Sequence, residues 1–174
     1  MAKRKLPHTG MPRVLRRTVL FVGEGDAEEV LLRHLRKLYT AGNDGFRASI
    51  KNAHGKGAGH VVDCAIRAHA NADFDLCAVL LDTDEGWTDA VRKRARTRSI
   101  KVIESNPCCE AWLLDVAGHG GERRSSEHKR EFQCHFGAPA HHAGVYTKHF
   151  ARDVLDAARP RVLTLDQLLA GFGV

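Results

Sequence analysis

The run LCAVLL, Leu76 to Leu81, carries six apolar residues without a break and ends on Asp82-Thr83-Asp84. A strand with one wet face alternates apolar and polar side chains; an unbroken apolar run must be covered on both faces. The segment DLCAVLLDTD, Asp75 to Asp84, is therefore expected to be the central strand of a sheet clamped between helices. TVLFV, between Arg17 and Gly23, has the same character and predicts a second buried strand. FRASIKNA alternates through Phe46, Ala48 and Ile50, and IKVIES (Ile100 to Ser105) supplies a fourth strand.

Helical patterns fall between these runs. Gly25 and Asp26 open one, with Asp26 expected as its cap, Glu28 and Glu29 at its positive end, and Val30, Leu31, Leu35 and Leu38 along its apolar face. Ala41 to Gly45 reads as a turn and His54 to Gly59 as a flexible run. Val61 to Ala72 and the basic stretch Trp87 to Arg98 read as helices. Asn106-Pro107 marks a turn before a helix from Cys108 to Val116, and Gly118 to Ser126 a loop. Two or three helices follow, around Glu127 to Phe136, Lys148 to Ala158 and Leu165 to Leu169. Strands alternating with helices predict an α/β fold: a largely parallel sheet of about four strands flanked by helices, with a helical C-terminal part. A chain of 174 residues can bury roughly 70% of its unfolded surface, enough for one domain without staples.

The five cysteines form no CxxC pair, which argues against a disulfide framework or zinc ribbon and fits a cytoplasmic location. No apolar run approaches the ~20 residues of a membrane span, and none resembles a secretory signal. The net charge of +6 is concentrated: residues 1–17 contain Lys3, Arg4, Lys5, Arg13, Arg16 and Arg17 and no acid. The expected organisation is a basic arm over 1–17, suited to phosphate contacts, and a single domain over 18–174 with charges near balance.

Ligands of open α/β sheets bind where strands end and helices begin. Glu24 follows the first predicted strand, Asp82 and Asp84 finish the third, and Glu110 lies beyond the fourth. Positions two apart on a strand share a face, so both aspartates are expected to point at one spot. Oxygen ligands from separate strand ends suit a hard divalent cation, Mg²⁺ or Mn²⁺. Asp26, Glu85 and Asp89 are expected to do no more than cap helices.

Other phosphate motifs fit less well. GEGDAE starts like a dinucleotide fingerprint, but Glu28 replaces the third glycine. HGKGAGH has no Ser or Thr after its lysine, so it is no Walker A loop, although Lys56 could counter a phosphate charge. The Cys134-His135 and His141-His142 pairs match no strong zinc spacing. Arg92 and Arg94, on the basic helix, could hold a polyanion if that helix flanks the acids. Neither Tyr39 nor Tyr146 sits in a setting that favours a covalent mechanism.

EGDAE at Glu24 to Glu28, the glycine turn at Gly55 to Gly59 and LLDTD at Leu80 to Asp84 resemble the Toprim pattern. SNPCCEAWLLD, Ser105 to Asp115, resembles a segment of RloB-like proteins, a Toprim-containing group associated with bacterial restriction and anti-phage loci. The resemblance runs from Thr18 to Leu114 and, more weakly, through YTKHF at Tyr146 to Phe150. It implies a Toprim-like domain and a metal-dependent nuclease core similar to that of OLD-type nucleases. On this chain Glu24 would be a ligand or general acid/base, Asp82 and Asp84 would bind Mg²⁺ or Mn²⁺, and Glu28 and Glu110 would complete a second metal position. Lys148 would stabilise charge on phosphate. Two positions depart from the pattern: Cys109 replaces a bulky aromatic, and Gly23 stands where such proteins often have cysteine.

The expected function is divalent-metal-dependent hydrolysis of DNA or RNA in genome defence, with an ATPase encoded nearby and a homo-oligomer as conceivable partners. The alternatives are a non-catalytic nucleic-acid-binding or complex-forming module and, less favoured, a nucleotidyl- or phosphotransferase.

Overall fold

A computed structural model describes residues 16–174. Within them the chain runs β1 (Arg17–Gly23), α1 (Asp26–Tyr39), β2 (Phe46–Asn52), α2 (Gly57–Ala70), β3 (Leu76–Asp82), α3 (Asp89–Thr97), β4 (Ile100–Ser105) and α4 (Cys109–Val116). Helices α5 (Ser125–Phe136), α6 (Ala143–His149), α7 (Arg152–Ala158) and α8 (Leu163–Gly171) complete it. The four strands are all parallel, in the order β2-β1-β3-β4. The architecture is the helix-flanked α/β sheet expected from the unbroken apolar runs, with β1 and β3 in the interior.

Each interior strand feeds two cores. Val19 and Phe21 of β1, with Ala78 and Leu80 of β3, face α1 and the C-terminal helices. Leu20, Val22, Cys77, Val79 and Leu81 face α2 and α3. Phe21 stacks on Phe172 at 4.3 Å between ring centroids, joining the last residues of the chain to the sheet. Burial on both faces is why neither strand shows the alternation of β2.

Since β1 connects to a helix on one face and β3 to a helix on the other, their carboxyl ends diverge and leave a crevice, the topological switch point of an open sheet. Gly23 lets α1 close in on that crevice: a Cβ there would lie 2.8 Å from the Glu28 Cβ and 3.1 Å from the Glu29 nitrogen. Cysteine, expected from the resemblance, has no room without moving α1.

Several expected details differ. Gly25, not Asp26, is the N-cap of α1, and Glu28 closes the first turn by accepting the Gly25 N–H at 2.8 Å. Thr88, not Asp89 or Glu85, caps α3, accepting from the Val91 N–H. The helix expected over Lys148 to Ala158 is two, because Phe150 leaves helical geometry and its carbonyl is hydrogen-bonded to the His34 ring at 2.7 Å. Arg17 already belongs to β1, its N–H donating to Gly45 O, so the sheet starts one residue inside the predicted arm.

Candidate metal centre

The crevice between β1 and β3 is a cleft of about 260 Å³ whose lining includes Glu24, Glu28, Asp82, Glu110, Lys129 and His141. Asp26 lines it as well, its carboxylate accepting the Asn52 side-chain N–H at 2.8 Å. The other four carboxylates come from four segments: the β1–α1 turn, the first turn of α1, the end of β3 and the first turn of α4.

Glu24 is held by the sheet itself. Its N–H donates to Leu80 O at 3.1 Å, extending the β1–β3 ladder by one rung, and its carboxylate accepts the Asp82 N–H at 3.1 Å. Burial raises its pKa; the Asp82 N–H opposes this, and the charges of Glu28, Asp84 and Glu85 add to the rise. Glu24 O also accepts the Gly55 N–H at 2.8 Å, tying down the β2–α2 turn. That turn holds His54, Gly55, Lys56 and Gly57 all at positive φ, a conformation costly for the two non-glycine residues. Lys56 is exposed there and lies outside the cleft lining.

Asp82 is the most perturbed of the four. Desolvation, followed by the charges of Glu28, Glu24, Glu110 and Asp84, pushes its carboxyl up to about 8. Its Oδ1 is buried with no hydrogen-bond partner among the described residues. Glu28 is 4% exposed, and burial raises its pKa too; the N–H groups of Glu28 itself and Gly25 and the Cys109 thiol offset part of the rise, while Glu110 adds to it. Buried polar oxygens are ordinarily paired, and carboxylates crowded out of water oppose one another's ionisation. The cluster is relieved either by protons or by a cation.

Asp84 is not in the cleft lining. Strand β3 ends at Asp82, so the two-residue periodicity that would align the aspartates lapses before Asp84. The Asp84 carboxylate is exposed and accepts the Ser125 hydroxyl at 2.6 Å. Lys148 is exposed on α6, beyond the lining residues, while Tyr146 on the same helix is buried with its hydroxyl 3.3 Å from Ala27 O. The cation in the cleft is Lys129 of α5. Its burial works against the charge, yet the pull of Glu110, Cys108, Asp82 and Asp84 outweighs that and raises its pKa. Lys129 follows His128, which with Phe132 forms the buried face of α5; only the packing of α5 on α4 brings it to Glu110.

The expected nucleic-acid contacts divide. Lys3, Arg4, Lys5 and Arg13 lie outside the described residues, whereas Arg16 and Arg17 are exposed. Arg94 tethers α3 to α2 through Asp63 at 3.0 Å and Gly59 O at 3.2 Å. Arg92 pairs with Asp89 at 3.2 Å and lies over the Trp87 ring, 5.0 Å from its centroid.

Whether the cleft suits a divalent cation can be judged from its donors. Glu24, Asp82 and Glu110 offer hard oxygens, and the unpartnered Asp82 Oδ1 is a ligand atom without another use. Among the described residues no three His, Cys, Asp or Glu side chains are already gathered into a metal-holding group. The donor chemistry fits Mg²⁺ or Mn²⁺, with carboxylates that must draw together to hold it. The Cys134–His142 stretch likewise forms no metal-holding group among the described residues; His135 instead stacks on His119 at 4.4 Å.

Fold and site together define an open parallel α/β domain with an acidic cleft at its switch point. No protein-family model, curated protein or solved structure matches the chain. Among the described residues no helix is long and apolar enough to cross a membrane.

Proposed function

We propose that the chain is a divalent-cation-dependent phosphodiesterase acting on nucleic acid, as the Toprim resemblance implies. The observation that carries this reading is the unpartnered, buried Oδ1 of Asp82 in a cleft shared with Glu24, Glu28 and Glu110. A purely structural carboxylate at a strand end would be satisfied by backbone N–H groups; this one is surrounded by like charge.

In this reading Glu24, Asp82 and Glu110 hold Mg²⁺ or Mn²⁺, and Glu28 supports them from the first turn of α1. Such a cation supplies a Lewis acid for a phosphoryl oxygen and lowers the pKa of a coordinated water. Glu24, anchored by the Asp82 N–H, would take a proton from an attacking water. Lys129 faces the carboxylates and offsets negative charge on a phosphate entering between them. Asp84 and Lys148, expected to touch the reaction, act outside the cleft: Asp84 adds field at long range and fixes Ser125. The non-catalytic alternative rests on the basic arm, most of which lies outside the described residues.

Incubation with single- and double-stranded DNA and RNA in Mg²⁺ or Mn²⁺ tests the proposal. Cation-dependent cleavage lost in Glu24→Gln and Asp82→Asn supports it. Cleavage indifferent to both substitutions, or none with any substrate, opposes it.

A further inference from the structure

A second cavity, of about 240 Å³, lies between α3 and β4, lined by Trp87, Arg92, Arg96, Ile100, Val102 and Glu104. Ile100 and Val102 sit on the α3 face of the sheet and give it an apolar floor. The Arg92 guanidinium over the Trp87 ring makes a planar wall. The Trp87 indole N–H is buried without an acceptor among the described residues. Arg96 is exposed at the rim and has no ion-pair partner among them. Glu104 is engaged by Arg92 at 3.9 Å, so the cavity's unspent charge is positive.

An aromatic–guanidinium wall, an apolar floor and a free arginine match one ligand chemistry: a nucleobase with its phosphate. Bases stack on indole and guanidinium planes irrespective of sequence. The volume is below the roughly 300–1,000 Å³ of pockets that enclose a whole drug-sized ligand, so it receives a base while the phosphate stays at the rim with Arg96. Four residues separate Trp87 from Asp82, a Cα–Cα span of at most about 18 Å, within reach of a few nucleotides of one strand.

We infer that Trp87, Arg92 and Arg96 form a base-stacking subsite for a single-stranded segment of the substrate whose phosphodiester enters the acidic cleft. The subsite rests on the proposed function for its substrate, but its occupancy does not require cleavage. Its occupant is an unpaired base, because a duplex keeps its bases stacked on one another.

Tryptophan emission reads it directly. The chain has two tryptophans; Trp112 is 3% exposed with its N–H given to Thr164 at 2.6 Å, and Trp87→Phe shows which of the two responds. Single-stranded 12-mers of DNA and of RNA are titrated in chelator, following tryptophan quenching and, with labelled strands, anisotropy. At least one strand is expected to quench emission on binding. Trp87→Phe should abolish the quench, Trp87→Ala should weaken binding roughly tenfold, and Arg96→Ala should weaken it and lower the salt slope by about one. The inference is overturned if no strand binds, if strands bind without quenching, or if Trp87→Ala and Arg96→Ala bind as the parent does. Quenching without cleavage in Mg²⁺ or Mn²⁺ would leave the subsite standing and remove the hydrolytic reading. Cleavage lost in Glu24→Gln but unchanged in KM by Trp87→Ala would do the reverse.

Discussion

Asp75 and Asp82 stand at opposite ends of the same strand and live in opposite circumstances. Asp75, just before β3, accepts the Thr18 N–H at 2.6 Å and the Thr18 hydroxyl at 2.9 Å, and its own N–H donates to Thr18 O. Those bonds, with the charge of Arg17, hold its carboxyl below the ordinary value. Asp82 has one oxygen with no partner and is pushed up to about 8 by burial and four neighbouring carboxylates. The first aspartate fastens β3 to β1; the second is left poorly satisfied by the fold. Protein groups that stabilise charge at one end and oppose it at the other make the amino edge of the sheet a structural joint and the carboxyl edge a candidate site.

Substitution at the two ends should separate these roles. The largest effect belongs to the carboxyl edge: Glu24→Gln and Asp82→Asn should each lower cation-dependent cleavage at least about a hundredfold, as measured by initial rates. Asp75→Ala should leave those rates within about twofold and lower the denaturation midpoint, since it removes only a strand-to-strand fastening.

A smaller effect separates the two lysines. Lys129→Ala, which removes the cleft's own cation, should slow cleavage about ten- to a hundredfold, whereas Lys148→Ala should change it less than about threefold. Equal losses for both would mean that α6 turns Lys148 inward when substrate binds.

The pH dependence of stability sharpens the contrast further. Between about pH 4 and 8 the native state keeps a proton on Asp82 that the unfolded chain has released, so unfolding releases protons and the native state loses ground as pH rises. The contribution is fully present below the ordinary aspartate value near 3.8 and lost as pH climbs through about 8. Melting temperatures in chelator should therefore fall over this interval more steeply for the parent than for Asp82→Asn. Mn²⁺ should restore the parent at pH 8 and leave the variant unmoved. Asp75 runs the other way: its depressed pKa gives stability that is present above the ordinary value and lost as acid is added.

The parts of the molecule that follow from local pattern were legible in advance. Unbroken apolar runs in β1 and β3 announced a sheet covered on both faces, and the acids at their ends announced an acidic cleft there. The placements that depend on where a strand stops were not. Asp84 is two residues from Asp82 and looks aligned with it, but β3 ends between them and Ser125 takes its carboxylate. Asp26 looked like a cap because it is the first acid of α1; the Gly25 backbone geometry and the reach of Glu28 decide otherwise. Lys129 gave no local signal, for an exposed lysine beside a buried histidine is ordinary on a helix surface. Its place in the cleft comes from α5 packing on α4, about twenty residues away in the chain, a contact that local periodicity does not encode.

On the proposed reading the carboxylates at the switch point trap a divalent cation, whereas the aspartate at the other end of β3 does not. A crystal grown with Mn²⁺ and measured for anomalous scattering tests it most directly. One or two peaks are expected within coordination distance of Glu24 and Asp82, and none beside Asp75. A map with no peak in the cleft at saturating Mn²⁺, the four carboxylates ionised and still apart, would contradict it.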